Sequence, residues 1–468
     1  MSTSTAPLPV AVIGSGPVGL ATAAQLATRG LDFVVLEAGD EVAASIREWA
    51  HVRLFSPWRY DTDPAARTLL EATGWTAPDP EKLPTGGELI SDYLAPLAAH
   101  PAIAPKLRLG VAVTAIARQG FDKVRTAGRE SAPFLIRLSN GSELLASAVI
   151  DASGTWRTAN PLGGNGIPAH GEADAIAAGR VHNGMPDVLG RLRDQFAGQS
   201  VAVVGAGHSA TGTLLALAEL ADTEADTILH WVLRAPNPSR AYGGGDADAL
   251  PARGAIGTRI KALVDAGRVQ VHTGFLVHEV TDQGLVSTDG RKLEAQVIVN
   301  STGARPDYAA ADELRLDLDP ILGSTRVLAP LIDPNQHSCG TVPPHGVDEL
   351  AHPETGFYVV GAKSYGRAPT FLLATGYEQA RSVVAALAGD WEAARDVQLE
   401  LPETGVCSSN LAFDGDDTEQ ASSCCGSAPA AEDAPEVQRG LATGLGGGLL
   451  SLPLVGVSAG QSGGSCCG

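Results

Sequence analysis

The sequence is poor in basic residues. Its 468 residues include 33 lysines and arginines but 53 aspartates and glutamates, which gives a formal net charge of −20. This excess repels nucleic-acid phosphates and anionic lipid surfaces, so we expect neither a nucleic acid nor a membrane as a partner. With 44% hydrophobic and 18% charged residues, the composition is otherwise that of a globular protein with room for two or three domains.

The first residues, "MSTSTAPLPVAVIG", also lack the pattern of a secretory signal, which is a charged stretch followed by an apolar run and a cleavage site. We therefore expect a cytoplasmic protein, in which thiols stay reduced. The composition does not indicate an oligomeric state.

Cysteines are few, and most of them lie in a segment that predicts no fold. Residues 396–438 are acidic, and residues 440–468 contain ten glycines and no charge. We expect 396–468 to be a disordered tail, because it cannot bury enough apolar surface to order itself. Four of the six cysteines form two adjacent pairs in this tail, where they tend to remain dithiols: Cys424 with Cys425 and Cys466 with Cys467.

A glycine pattern near the start of the chain predicts a dinucleotide site. In "LPVAVIGSGPVGLATAAQLATRGLDFVVLE", an apolar run leads into G-x-G-x-x-G spacing, a helical stretch and a second apolar run. Glycines permit a tight turn, close approach of backbone to a pyrophosphate, and close helix packing. An acidic residue that closes the second strand can accept hydrogen bonds from a ribose. The candidate binding residues are Gly14, Gly16, Pro17, Gly19 and Glu37.

The same pattern returns later in the chain. "VAVIGSG" at 10–16 is matched by "VAVVGAG" at 201–207, which predicts a second dinucleotide site at Gly205, Gly207, Ser209 and Ala210. The following strand ends in Arg234, and Arg240 comes soon after. Arginines would attract a ribose 2′-phosphate where an acid would repel it, so NADPH is favoured over NADH. The alternative is that both arginines are solvated loop charges.

Each glycine pattern is followed by alternating β-rich sequence with Asn-Gly or Asp-Gly turns, which is typical of a β-meander. Each half then closes on a Ser or Thr followed by a glycine, Gly154 and Gly303. This arrangement resembles the two-dinucleotide-binding-domain flavoproteins, in which an NADPH-binding domain is inserted into an FAD-binding domain.

The resemblance implies an α/β fold with an FAD-binding Rossmann-like domain, three-layered with a β-meander, and an inserted NADPH-binding Rossmann-like domain. We predict the FAD-binding domain at 8–160 and 306–392, the NADPH-binding domain at 196–305, and the tail at 396–468.

The expected last strand of the FAD-binding domain ends near Gly361. In the disulfide-reductase branch of these flavoproteins the strand ends in Gly-Asp, whose carboxylate binds the flavin ribityl chain. Here Ala362 and Lys363 follow the glycine. This departure favours a similarity to the flavin-containing monooxygenases, which also lack the acid.

The cysteine spacing agrees with that similarity. Disulfide reductases need a C-x-x-C or similar pair beside the flavin, and no such spacing occurs here. The simplest remaining electron acceptor is O₂. The segment "SIREWAHVRLFSPWRYDTD" contains Arg47 and Trp49 where flavin-containing monooxygenases line the flavin, and Phe55, Trp58 and Tyr60 could also line the ring. The alternative is that the aromatic residues are simply core.

One monooxygenase signature is altered. Before the second glycine pattern these enzymes have a glycine, three residues and a histidine, whereas here Gly179 and His182 are one position too close. The altered spacing counts against an oxygenation reaction, but it does not count against the predicted cofactors.

Three stretches, "REWAHVRLFSPWR", "HSCGTVPPHGVDELAHP" and "KSYGRAPTFLLATGYEQ", look like the flavin-binding monooxygenase-like proteins that accompany arsenic-resistance genes. Between His337 and His345 lies Cys339, whose thiol could be a thiolate beside imidazoles and is our candidate catalytic residue; a small core cysteine is the alternative. The tail pairs could capture trivalent arsenic through soft thiolates, or the tail could have no function.

The sequence therefore predicts an FAD- and NADPH-dependent oxidoreductase of the monooxygenase type. Its expected partners are O₂ and a small-molecule substrate, for which the resemblance implies a trivalent arsenical in soft-metalloid detoxification. Two alternatives stay open: an NADPH-driven reductase in which the tail dithiols receive electrons, and a non-catalytic metalloid carrier.

Overall fold

Short strands and helices alternate along the chain. The computed structural model describes residues 7–243, 251–337, 342–369 and 371–399, all within one compact unit. In chain order the strands are β1 (Val10–Ile13), β2 (Phe33–Leu36), β3 (Leu107–Arg108), β4 (Val113–Arg118), β5 (Phe134–Leu138), β6 (Glu143–Ala146), β7 (Ala148–Asp151), β8 (Val181–Asn183), β9 (Ser200–Val204), β10 (Ile228–Val232), β11 (Gln270–His272), β12 (Val277–Thr281), β13 (Gly284–Ser287), β14 (Lys292–Glu294), β15 (Val297–Asn300) and β16 (Phe357–Val359).

The helices connect these strands and cover the sheets. They are α1 (Pro17–Thr28), α2 (Ala44–Arg47), α3 (Trp58–Asp61), α4 (Pro64–Glu71), α5 (Gly86–Leu89), α6 (Ala95–Ala98), α7 (Glu172–Ala177), α8 (Arg193–Phe196), α9 (His208–Thr223), α10 (Pro251–Asp265), α11 (Ala329–Ile332), α12 (Val347–Leu350), α13 (Leu373–Leu387) and α14 (Trp391–Arg395). No helix in these described ranges has the length and apolarity that a bilayer crossing requires.

The first sheet has five parallel strands in the order β16-β7-β1-β2-β3. Strands β2, β7 and β16 are buried throughout, as expected for parallel strands covered on both faces. Helix α1 begins at Pro17, whose fixed φ suits the first helical position. Its residues from Val18 to Leu26 are all buried, because α13 and α4 pack against it as well as the sheet.

The second sheet is also parallel, in the order β11-β10-β9-β15-β8, with α9 and α10 packed on its core. Two antiparallel three-stranded meanders, β4-β5-β6 and β12-β13-β14, accompany the two sheets.

The predicted fold class, two Rossmann-like sheets each with a β-meander, is thus confirmed for the described residues. The predicted domain boundaries stay predictions. Strand β8 lies ahead of residue 196, where we expect the second domain to begin, and yet pairs with β15 of the second sheet. All six cysteines, including Cys339 and the tail pairs, lie outside the described residues.

Candidate dinucleotide-binding sites

The first turn, residues 14–19, joins β1 to α1. A Cβ on Gly14 would lie 2.8 Å from the carbonyl oxygen of Ala152, and one on Gly19 would overlap the carbonyl oxygen of Gly14. These two glycines are therefore required by the chain's own packing. A Cβ on Gly16, at the N-cap of α1, would meet nothing within 4 Å. The open space lies where a helix N-terminus offers unpaired N–H groups, so it fits a pyrophosphate.

The second turn, residues 205–210, repeats this arrangement between β9 and α9. A Cβ on Gly205, whose φ is +138°, would overlap the carbonyl oxygen of Ser301, whereas one on Gly207 would meet nothing within 4 Å. Ala210 takes the place of the third glycine and is fully buried, and Ser209 occupies the first turn of α9. Both turns leave open space beside the second glycine of the pattern, at the N-terminus of a helix, so the residues present fit two dinucleotides.

The carboxylate of Glu37 is held against the first turn. Its Oε2 accepts hydrogen bonds from the backbone N–H and the hydroxyl of Ser15, each at 2.8 Å, and its Oε1 accepts one from the N–H of Gly39 at 2.8 Å. These three donors fix the carboxylate just beyond β2, where a ribose hydroxyl could add to them.

The two arginines predicted to recognise a 2′-phosphate lie beyond the carboxyl end of β10. Both Arg234 and Arg240 are exposed. Arg234 makes no hydrogen bond or ion pair with any part of the chain that the structure describes. Because β9 and β10 run parallel, this edge of the sheet also carries the second turn.

The three closing glycines all have left-handed backbone, with φ values of +70° at Gly154, +90° at Gly303 and +74° at Gly361. The N–H of Gly361 donates to Oε1 of Gln379 on α13 at 2.8 Å. Gly154 follows β7 and Gly361 follows β16, so both lie at the same edge of the first sheet as the first turn.

A buried ion pair lies between these two closing glycines. Nζ of Lys363 is 2.6 Å from Oδ2 of Asp151 and 3.2 Å from the hydroxyl of Ser153. The other oxygen of Asp151 accepts bonds from the N–H and hydroxyl of Ser153 at 3.0 and 2.6 Å. Sequence reasoning missed Asp151 and treated Lys363 only as the absence of an acid; the lysine after Gly-Ala was the available signal.

The side chains of the segment predicted to line the flavin lie in different surroundings, and some are exposed while others are buried. Arg47 forms an exposed ion pair with Glu41 at 2.7 Å, and Trp58 is a buried core residue. Trp49 packs against Gly86, where a Cβ would lie 2.8 Å from its ring. Phe55 contacts His208 in the first turn of α9, with ring centroids 5.4 Å apart.

Two buried carboxyl groups in the same segment were also missed. Asp61 is fully buried; its Oδ1 accepts a bond from the Ser56 hydroxyl at 2.7 Å, and its Oδ2 has no partner among the described residues. Burial raises the pKa of Asp61 to about 7. Burial likewise raises the pKa of Asp63, whose side chain caps α4, to about 6.

The histidines that flank Cys339 are both engaged. The two ring nitrogens of His345 pair with the carbonyl oxygen of Pro343 at 3.1 Å and with the side-chain amide of Gln379 at 3.0 Å, and burial lowers its pKa. His337 bonds to the carbonyl oxygen of Pro330 at 3.0 Å. His345 is therefore held neutral and cannot supply the positive charge that stabilises a thiolate.

Comparison with known proteins agrees with two nucleotide turns on one chain. The model of the pyridine nucleotide-disulphide oxidoreductase family matches residues 11–321. A curated relative, indole-3-pyruvate monooxygenase YUCCA1 of Oryza sativa subsp. japonica, is 32% identical over 202 residues. That alignment spans 42% of this chain and only 42% of the relative's length.

Solved structures match over most of the chain. Bacillithiol disulfide reductase from Bacillus cereus aligns with a TM-score of 0.59 and 18% identity over 82% of this chain and 99% of its own. A flavin-containing monooxygenase from Stenotrophomonas maltophilia aligns with a TM-score of 0.53 and 20% identity, and a thioredoxin reductase from T. acidophilum with 0.51 and 16%. The alignments cover 82% of this chain and 99% and 98% of those chains. At these identities the likeness is one of fold.

Proposed function

The chain belongs to the pyridine nucleotide-disulphide oxidoreductase family. We propose that it catalyses an NADPH-dependent, monooxygenase-type oxidation of a small molecule. It is a flavin-dependent oxidoreductase with FAD and a pyridine nucleotide as cofactors. When bound, the two cofactors supply a hydride and a flavin that can pass its electrons to O₂.

One observation supports the monooxygenase class over the reductase class. Both nucleotide turns are present, and the six cysteine positions contain no C-x-x-C spacing, the arrangement that disulfide reductases use beside the flavin. The relative with 32% identity is itself named as a monooxygenase of indole-3-pyruvate.

The residues of this chain act on the cofactors by binding and orientation. The open positions at Gly16 and Gly207 receive the pyrophosphates on helix N-termini, and Glu37 holds the FAD ribose. Arg234, exposed and without a partner among the described residues, is available to a 2′-phosphate, which is the reason for proposing NADPH rather than NADH.

The substrate and setting are proposed on the sequence alone. We propose a trivalent arsenical as the substrate from the resemblance of three stretches and from the paired tail cysteines. Cys339 as a catalytic residue and a cytoplasmic location are proposed on the same basis.

The test is a measurement of NADPH oxidation and O₂ consumption by the purified yellow protein with and without a trivalent arsenical. A monooxygenase should consume NADPH and O₂ in equal amounts and form one oxygenated product per turnover. NADPH oxidation that continues under nitrogen with a disulfide as acceptor would favour the reductase, and no substrate-dependent oxidation at all would favour the carrier.

A further inference from the structure

A cavity of about 460 Å³ lies between segments that follow β2 and β7 of the first sheet and the segment that begins with β8 of the second sheet. Glu48 and Trp156 contribute one wall, and residues 181–195 contribute the other, from β8 to α8. Small-molecule sites are typically of roughly 300–1,000 Å³, so this volume suits a ligand the size of one aromatic ring with a short side chain.

Both walls continue into the nucleotide-binding turns. On the first side, the N–H of Ala43 at the start of α2 donates to the carbonyl oxygen of Ser15 at 3.2 Å, five residues before Glu48. On the second side, the N–H of Gly184 donates to the carbonyl oxygen of Asn300 at 2.9 Å, next to Ser301, whose carbonyl oxygen packs against Gly205. The cavity is thus connected through short segments to the site of each cofactor.

The aromatic wall is fixed in place. The indole N–H of Trp156 donates to Oε2 of Glu48 at 2.7 Å, and its ring lies 6.4 Å from that of Trp49. The far edge of the Trp156 ring packs on Gly184, where a Cβ would lie 2.7 Å from it. Met185 and Leu192 add apolar surface to the same cavity.

The cavity is lined by one cationic side chain, Arg191, and one anionic side chain, Glu48. The guanidinium of Arg191 makes no hydrogen bond or ion pair within the described ranges, whereas the two nearby carboxylates keep their charge but accept hydrogen bonds from N–H groups of the chain. Asp187 accepts bonds from the N–H groups of Gly190 and Arg191 at 2.9 and 3.0 Å, and Glu48 accepts one from Trp156. Burial lowers the pKa of His182, so its ring adds no positive charge at neutral pH.

We propose that this cavity binds a small organic acid, with its carboxylate on Arg191 and its apolar body against Trp156. Naming this acid the substrate rests on the proposed function; the binding itself does not. An anionic group here could also belong to a phosphate of NADPH, so the experiment separates the two sources.

The experiment measures dissociation constants on the FAD-loaded full chain for three probes that share one body: phenylacetate, 2-phenylethanol and 2-phenylethylamine. Titration calorimetry should show phenylacetate binding at least about tenfold more tightly than the other two, because only its charge complements Arg191. Arg191→Met should weaken phenylacetate about tenfold and leave 2-phenylethanol unchanged. Arg193→Met is the control, since Arg193 pairs with Glu224 and does not line the cavity.

A second variant, Met185→Trp, fills the cavity and should weaken all three probes while the FAD content stays that of the wild type. Equal affinity for the three probes, or phenylacetate binding that both variants leave unchanged, would overturn the proposal. A raised KM for NADPH in Arg191→Met with unchanged phenylacetate affinity would also overturn it and assign Arg191 to the cofactor. Arginine-dependent phenylacetate binding without NADPH oxidation by any acid would support the cavity and count against the monooxygenase proposal alone.

Discussion

Nζ of Lys363 lies 2.6 Å from Oδ2 of Asp151, and both side chains are more than nine-tenths buried. The two residues are 212 positions apart in the chain and meet where β7 and β16 end side by side. The lysine also contacts the hydroxyl of Ser153, whose Cα would lie 3.1 Å from a Cβ on Gly14. The ion pair therefore holds the segment that follows β16 close to the first turn.

Lys363→Met leaves Asp151 buried without its cation. Removing one partner of a buried pair costs about 3–5 kcal/mol, so the free energy of unfolding should fall by that amount and FAD should bind more weakly. Urea unfolding and flavin titration measure both effects. The exposed pair of Lys106 with Asp32 provides the control, because Lys106→Met should cost less than about 1 kcal/mol.

The same account expects the double variant Lys363→Met with Asp151→Asn to be more stable than Lys363→Met alone, since no charge is left unpaired. A double variant as unstable as the single one would show that the pair does not carry the effect.

The first and second glycines of the first turn should respond differently to valine. Gly16 has φ −73°, which any residue adopts, and open space beside it, so Gly16→Val should fold and yet purify without flavin colour. Gly14 has φ +96° and lies against Ala152, so Gly14→Val should be strongly destabilised as well as colourless. Circular dichroism and flavin absorbance distinguish these results. Full flavin occupancy in Gly16→Val would remove this turn from the site.

Arg234→Ala tests the choice of nucleotide. Loss of one arginine contact to a phosphate should raise the KM for NADPH about tenfold, or about 1.4 kcal/mol, and leave that for NADH nearly unchanged. Steady-state kinetics measures both KM values, and the KM for NADH is the control because NADH lacks the 2′-phosphate. Equal changes in both constants would mean that Arg234 does not recognise the 2′-phosphate.

Burial of Asp61 should make the stability of the protein depend on pH. Burial raises the pKa of Asp61 from 3.8 to about 7. Between these pH values the folded state therefore binds more protons than the unfolded state. The free energy of unfolding that Asp61 contributes is lost as the pH rises from about 4 to about 7. Asp61→Asn should therefore gain stability relative to the wild type from about pH 4 to pH 7, by about 1.4 kcal/mol per unit of pKa shift.

The comparison should be made as the difference between Asp61→Asn and wild type, because buried histidines such as His230 and His352 titrate in an overlapping range with the opposite sign. The exposed Asp226→Asn controls for the loss of one negative charge. A difference that does not vary with pH would contradict a buried, protonated Asp61.

Local patterns predicted the turns well. Glycine spacing, flanking apolar runs and a closing Glu37 or Arg234 all lie within about thirty residues, and each reflects a physical requirement of a strand-turn-helix unit. The spacing does not tell which glycine faces a ligand. The structure gives Gly14 and Gly205 a packing reason and leaves open space only at Gly16 and Gly207.

Contacts between distant segments could not be read from the sequence. Nothing local links Lys363 to Asp151, or Trp156 to Glu48, because each pair depends on how strands from separate parts of the chain assemble. Aromatic content alone likewise does not distinguish Trp58, which is buried in the core, from Trp49 and Phe55. These two contact the rings of Trp156 and His208 from other parts of the chain.

The central claim is that electrons leave the flavin for O₂ without a thiol relay. Its most direct test is the full-length protein with Cys407, Cys424, Cys425, Cys466 and Cys467 all replaced by serine, assayed for O₂ consumption with NADPH and substrate at saturation. Turnover should stay close to that of the wild type, because the proposed transfer of electrons to O₂ uses none of these thiols. A variant whose flavin is still bleached by NADPH but which no longer turns over would contradict the claim and establish a dithiol reductase.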